Sequence, residues 1–195
     1  MTTEQTVPAA AALLRDLVNS REPQTGEDEL TSPDAVRAWF AARGLVDRAD
    51  PLDAHDARAV VAVREGLREA LLAHAGHPAD PAVLAELDRR LGEVPVSLSI
   101  AGGSPRLVPR GPRAVDRALA AVVDAVREAT VDGSWPRLKV CARDTCRWAF
   151  YDASRNQARR WCSMAGCGNY VKMRRVAEAR RRGAPGQGGG VGGSR

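Results

Sequence analysis

The sequence predicts a mainly α fold in two parts: a helical N-terminal domain with one β-hairpin, then a small module in which a β-hairpin and a helix surround four cysteines. Three observations carry this. Apolar residues recur at helical spacing through most of the first 136 positions, the period changes to strict alternation once, near residue 96, and all four cysteines fall in one basic stretch close to the C-terminus. The chain has 195 residues, 44% apolar and 27% charged, which is the balance of a globular protein rather than a disordered one.

The helices are punctuated in order. Pro8 to Asn19 carries Leu13, Leu14, Leu17 and Val18 on one face, and a polar, turn-rich segment from Ser20 to Leu30 follows. Three later helices are expected to open with a capping residue followed by proline: Ser32-Pro33, Asp50-Pro51 and Asp80-Pro81. The side-chain oxygen satisfies a free amide, and proline has none to satisfy. Their apolar faces are Val36, Trp39 and Phe40; Val60, Val63, Leu67 and Leu71; and Val83, Leu84, Leu87 and Leu91. Gly44 and Gly92 stand where a left-handed residue closes the first and third. Val96, Leu98 and Ile100 then alternate with serines, Gly102-Gly103 turns the chain, and Arg106-Leu107-Val108 returns, a β-hairpin pattern. Gly111-Pro112 opens a long helix with Val115, Leu119, Val122 and Val126 on one face, ending at Asp132-Gly133. The expected organisation is a helical domain over 1–133, a cysteine module over 136–182 and a disordered glycine-rich tail over 183–195.

Charge divides the chain at the same place. Residues 137–182 hold 13 basic and 3 acidic residues, whereas residues 1–136 hold 15 basic and 21 acidic ones. No apolar run approaches the roughly 20 residues of a membrane-spanning helix. The polar start, Met1 to Val7, lacks the pattern of a secretory signal, so the expected location is the cytoplasm, with no membrane partner.

The cysteines read Cys141-x4-Cys146 and Cys162-x4-Cys167. Two close pairs separated by a loop supply the four soft ligands that Zn²⁺ takes at tetrahedral corners. Two structural disulfides are the competing reading, and a reducing compartment disfavours it. Trp148-Ala149-Phe150-Tyr151 is strand-like, and Arg159-Arg160-Trp161 is expected to return as its partner. From Gly168 the chain reads as helix. Knuckle, hairpin, second ligand pair and helix form a treble-clef-like order. Cys141, Cys146, Cys162 and Cys167 leave no open coordination position, which favours structural zinc over catalysis.

These residues resemble the CGNR zinc finger, whose Cys-Gly-Asn-Arg signature corresponds to Cys167, Gly168, Asn169 and Tyr170. Arg147-Trp148, Phe150-Tyr151-Asp152, Ser154-Arg155-Asn156 and Arg159-Arg160-Trp161-Cys162-Ser163-Met164 carry the same likeness. Residues 13–130 resemble the helical ABATE domain, through Leu17-Val18-Asn19-Ser20 and Trp39…Gly44-Leu45. The resemblance implies a bacterial, stress-induced transcription regulator with a zinc-dependent nucleic-acid-binding module. Tyr170 departs from it, standing where the signature places Arg.

With four thiolates and one Zn²⁺ the module keeps a formal charge near +8, enough to attract nucleic acid by phosphate neutralisation. Lys172, Arg174, Arg175 and Arg182 fall on the terminal helix, and Arg155, Arg159 and Arg160 on the segment before the second cysteine pair; these are the candidate nucleic-acid contacts. The bland alternative is a solvated basic face. Trp148, Phe150, Tyr151 and Trp161 fit a miniature core better than a stacking platform. His74 and His77 are read as surface residues, and Asn19 as making a local backbone hydrogen bond rather than touching a ligand. The leading function is a DNA-binding regulator acting on duplex DNA, with room for a small-molecule effector of the helical domain and for a homo-oligomer. The alternative is an RNA-binding or protein-interaction module whose zinc is purely structural. No paired carboxylates, no Ser/His/Asp order and no open metal site support an enzyme, so no catalytic residue is assigned.

Overall fold

Ser32 and Asp80 cap the helices their positions predict. In the computed structural model, which describes residues 6–183, Ser32 Oγ accepts the amide of Ala35 and Asp80 Oδ1 that of Ala82. These open α2 (Pro33–Ala41) and α4 (Pro81–Gly92), each with proline at its first position. Around them stand α1 (Ala9–Asn19), α3 (Ala54–His74) and α5 (Ala114–Val131). The strands β1 (Val96–Ser99) and β2 (Arg106–Pro109) form the expected antiparallel hairpin, with Leu98 opposite Leu107. Its turn holds Gly102 and Gly103 at φ of 96° and 85°, a region open to glycine at no steric cost.

Two helix boundaries differ from expectation. The third helix is capped by Asp53, not Asp50: Asp53 Oδ1 accepts the amide of Asp56 while Asp56 Oδ2 accepts that of Asp53, a reciprocal box. That pairing satisfies two free amides where Asp50-Pro51 satisfies one, and Asp50 instead receives Arg117 of α5. Gly92 ends α4 in the right-handed region, with Glu93 as its C-cap, so no left-handed glycine closes it. Gly44, at φ 68°, does behave as predicted after α2.

The core is built from Leu14, Leu17 and Val18 of α1, Val60, Val63, Leu67 and Leu71 of α3, and Val115, Ala118 and Val122 of α5, all buried. Helix α4 approaches α3 at Gly66, where an added Cβ would stand 2.6 Å from Leu87 Cβ. The β1–β2 hairpin lies on α5, and the Leu107 amide donates to Asp124 Oδ1 at 2.8 Å.

After Gly133 (φ 75°) and a short turn at Trp135–Arg137 come β3 (Leu138–Val140) and β4 (Ala149–Tyr151), antiparallel, with Leu138 opposite Tyr151 and Val140 opposite Ala149. Here the expected pairing is corrected: Tyr151 and its neighbours pair with 138–140, not with Arg159-Arg160-Trp161. Leu138, Val140 and Ala149 are fully buried and belong to the same apolar cluster as Leu14 and Leu67. Burial of a Leu or Val is worth roughly 1.5–3 kcal/mol, and Arg159 and Arg160, both exposed, cannot offer it. The apolar core thus runs continuously past residue 133. A π-helical turn, Met164–Gly168, leads into α6 (Asn169–Gly183). The tail expected over 183–195 lies, beyond Gly183, outside the described residues.

Candidate metal centre

The β3–β4 hairpin places the first cysteine pair. Cys141 directly follows β3, its amide donating to Trp148 O at 2.9 Å, and the chain loops through Cys146, whose amide donates to Arg143 O, before β4 begins. Arg147 sits at φ 50°, the left-handed residue that ends the knuckle. Of the second pair, Cys162 precedes the π-helical turn and Cys167 lies within it: Ser163 Oγ accepts the Gly166 amide and Ser163 O that of Gly168. One backbone bond, Ala142 N to Arg160 O at 2.8 Å, draws the two halves together.

The result is a four-sulfur cluster in which Cys141, Cys146, Cys162 and Cys167 have their Sγ atoms within 4.8 Å of one another. Cys146 Sγ lies 3.7 Å from Cys162 Sγ, which lies 3.8 Å from Cys167 Sγ. A disulfide needs about 2.05 Å, so these are free thiols. A tetrahedron with Zn–S bonds of about 2.3 Å has edges of roughly 3.8 Å. The spacing is that of a closed, four-thiolate zinc site, and the residues present fit the ion. Burial and the neighbouring Cys141 push the Cys146 thiol up to about 11, and burial with repulsion from Cys141 and Cys146 also raises Cys162. For Cys167 burial acts upward but is outweighed by hydrogen bonds from Cys146 and Arg143, leaving it lowered. Such a cluster ionises fully only when a cation neutralises it. Trp148 and Trp161 pack against the buried sulfurs, the miniature-core role expected of them.

The signature residues have separate jobs. An added Cβ at Gly168 would stand 3.0 Å from Met164 Sδ and 3.6 Å from Trp161, so its lack of a side chain permits close packing of the turn. Asn169 Nδ2 donates to Ala165 O at 3.2 Å. Tyr170, in the place of the signature Arg, carries the Arg143 guanidinium 3.8 Å above its ring, and that guanidinium lies 3.9 Å from Cys167 Sγ. A cation from the knuckle therefore stands beside the fourth thiolate. Beyond its position between two ligand cysteines, nothing in its local sequence marks Arg143 as a partner of Tyr170 or of the fourth cysteine.

The candidate nucleic-acid contacts divide. Arg160, Arg174 and Arg175 are exposed and line one cleft with Arg143. Arg155 and Lys172 are exposed but lie outside that cleft. Arg174 is held by Glu178 at 3.1 Å. Arg159, though exposed, donates to Trp161 O at 2.9 Å and to Cys162 O, so it shapes the second ligand loop. The Arg182 side chain lies outside the described atoms.

Three residues of the helical part fasten the centre to it. Asn19 Nδ2 donates to Ala149 O at 2.9 Å and Asn19 Oδ1 accepts the Ala149 amide at 2.8 Å, a partner 130 residues distant and not a local one. Arg68 donates to Val18 O at 2.7 Å and to Arg147 O at 3.1 Å. His74 is half-buried, not a surface residue. Its Nδ1 is 2.9 Å from Leu138 O, so Nδ1 carries the proton, and the ring meets Trp135 edge-on. Within the finger, Lys139 and Asp152 form a buried ion pair at 2.9 Å, and Asp152 also accepts the amides of Ser154 and Arg159.

Comparison with known families agrees with this geometry. The CGNR zinc finger model matches residues 137–182. The ABATE model, whose description reads "Putative stress-induced transcription regulator", matches residues 11–148, overlapping the finger over residues 137–148, which hold β3 and the first cysteine pair. Comparison with curated proteins gives no match.

Proposed function

We propose, for a chain that belongs to the ABATE family and carries a CGNR zinc finger, a regulator of transcription that binds duplex DNA through that finger. The supporting observation is the exposed cationic surface beside the metal centre. Residues 137–182 carry 13 basic and 3 acidic residues, and Arg155, Arg160, Lys172, Arg174 and Arg175 all face solvent. Phosphate neutralisation by such a surface releases counterions and drives binding. Zinc, when bound, supplies the cross-link that holds β3, β4, the π-helical turn and α6 in one arrangement.

In this reading the finger docks and the helical part, fastened through Asn19, Arg68 and His74, is where an effector or a second copy acts. The cluster has four protein ligands and no position for substrate, which favours a structural metal and a non-enzymatic role. No helix among the described residues is long and apolar enough to cross a membrane, in keeping with a regulator that meets DNA in the cytoplasm under stress. Arg174→Ala combined with Arg175→Ala tests the reading. Zinc content stays intact, duplex affinity falls, and the salt slope drops by about 2 as two phosphate contacts are lost. Unchanged affinity for every duplex overturns it.

A further inference from the structure

The cleft between the first knuckle and α6 has features that duplex docking leaves unused. It encloses about 300 Å³, at the lower end of the roughly 300–1,000 Å³ range of ligand pockets, and more room than a single phosphate fills. Its guanidiniums are not all neutralised. Of its two carboxylates, Asp144 pairs with Arg147 and Glu178 with Arg174, while Arg143, Arg160 and Arg175 have no carboxylate partner among the described residues. It also offers aromatic surface, from Trp161 and from Tyr170, which is 42% exposed and has Arg143 stacked on one face of its ring.

Two further atoms point to a ligand. Trp161 Nε1 and His77 Nε2 are buried ring nitrogens without a hydrogen-bond partner, and both side chains line this cleft. A buried polar atom left unpaired is costly, so two on one cleft favour an occupant with polar groups of its own. Guanidiniums without a carboxylate partner take phosphate, and Tyr or Trp faces take a base by stacking.

We infer that this cleft binds a single unpaired nucleotide unit, its phosphate held by Arg143, Arg160 and Arg175 and its base set against Tyr170 and Trp161 with His77 as a polar partner. The unit comes either as a free mononucleotide or as an unstacked nucleotide of a strand, the form in which proteins receive a base into a pocket. The site shares Arg160 and Arg175 with the docking surface and differs from it in His77, which belongs to the turn after α3, and in the aromatic surface, which has no part in phosphate neutralisation.

The test is calorimetry on the zinc-loaded full chain with adenosine 5′-monophosphate, inorganic phosphate, a single-stranded oligonucleotide and a duplex. Val171→Trp narrows the cleft and His77→Phe removes one unpaired nitrogen. Both keep every guanidinium, and zinc content with circular dichroism verifies their folding. The expected result is one mononucleotide per chain, inorganic phosphate weaker by about tenfold or more, and a loss of about tenfold or more in each variant. If the mononucleotide fails but the single strand binds and loses a similar factor in Val171→Trp, the nucleotide is one within a strand and the inference stands. Phosphate binding as tight as the mononucleotide's overturns it, as does indifference of both nucleotide probes to Val171→Trp. Duplex affinity of the unaltered chain reports separately on the regulator: its absence beside intact mononucleotide binding defeats that proposal and leaves the cleft standing.

Discussion

The carboxamide of Asn19, the last residue of α1, is hydrogen-bonded in both directions to the backbone of Ala149, the first residue of β4. It behaves as one more rung of a sheet, joining the N-terminal helix to the strand that follows the zinc knuckle. Ala149 is fully buried, and Asn19 is half-buried at the edge of a cleft.

Asn19→Ala leaves a buried amide and a buried carbonyl unpaired. The expected cost is about 1–3 kcal/mol in urea unfolding, with zinc stoichiometry unchanged. Asn19→Asp keeps the acceptor but loses the donor and falls between the two. A variant as stable as the parent would show that β4 is held by packing alone.

Removing zinc tests how far that connection reaches. Because Leu138, Val140 and Ala149 lie in the helical core, loss of metal by chelation or by Cys162→Ser lowers the unfolding temperature of the whole chain as one cooperative transition. Two separate transitions, the helical one unmoved by chelator, contradict this.

The buried pair inside the finger makes a sharper prediction. Asp152→Ala strands the Lys139 ammonium, whose side chain is 8% exposed, at a cost of about 3–5 kcal/mol. It also releases the amides of Ser154 and Arg159, so the 152–159 turn loosens and zinc affinity falls. Adding Lys139→Met to Asp152→Ala restores part of the stability, measured by denaturant unfolding at fixed zinc.

His74 couples stability to pH. Burial lowers its basicity below the ordinary 6.5, an effect that the Leu138 carbonyl opposes and the nearby Lys139 reinforces. The folded chain therefore resists a proton that the unfolded chain accepts, and the unfolded state binds more protons between the two values. Stability from this group is present above pH 6.5 and declines as pH falls below it. His74→Gln removes that dependence, seen as a flatter plot of unfolding free energy against pH between about 5 and 7.

Local chemistry was legible in the sequence where it decides structure locally. Ser32-Pro33 and Asp80-Pro81 open helices because a cap and a proline act within one turn, and the alternation from Val96 to Ile100 forms its hairpin with an adjacent partner. The four cysteines declared the metal site by spacing alone. What was not legible depends on distance. Asn19 finds Ala149 and His74 finds Leu138 only after folding, and nothing in Leu17-Val18-Asn19-Ser20 names a partner so far along the chain. The strand at 138–140 was missed because Leu-Lys-Val is too short to show a period, and its lysine is buried only by virtue of Asp152. The guanidinium charge of Arg159 is visible in sequence, and the Trp161 carbonyl it meets is not.

We propose that duplex DNA is read by the zinc-ordered basic face. This is tested most directly by fluorescence anisotropy of a labelled duplex titrated with zinc-loaded protein at several salt concentrations, repeated after chelation. The account predicts binding whose logarithm falls steeply and linearly with the logarithm of salt, and which disappears when zinc is removed. Duplex affinity that is absent near physiological salt, or that survives complete loss of zinc, contradicts it.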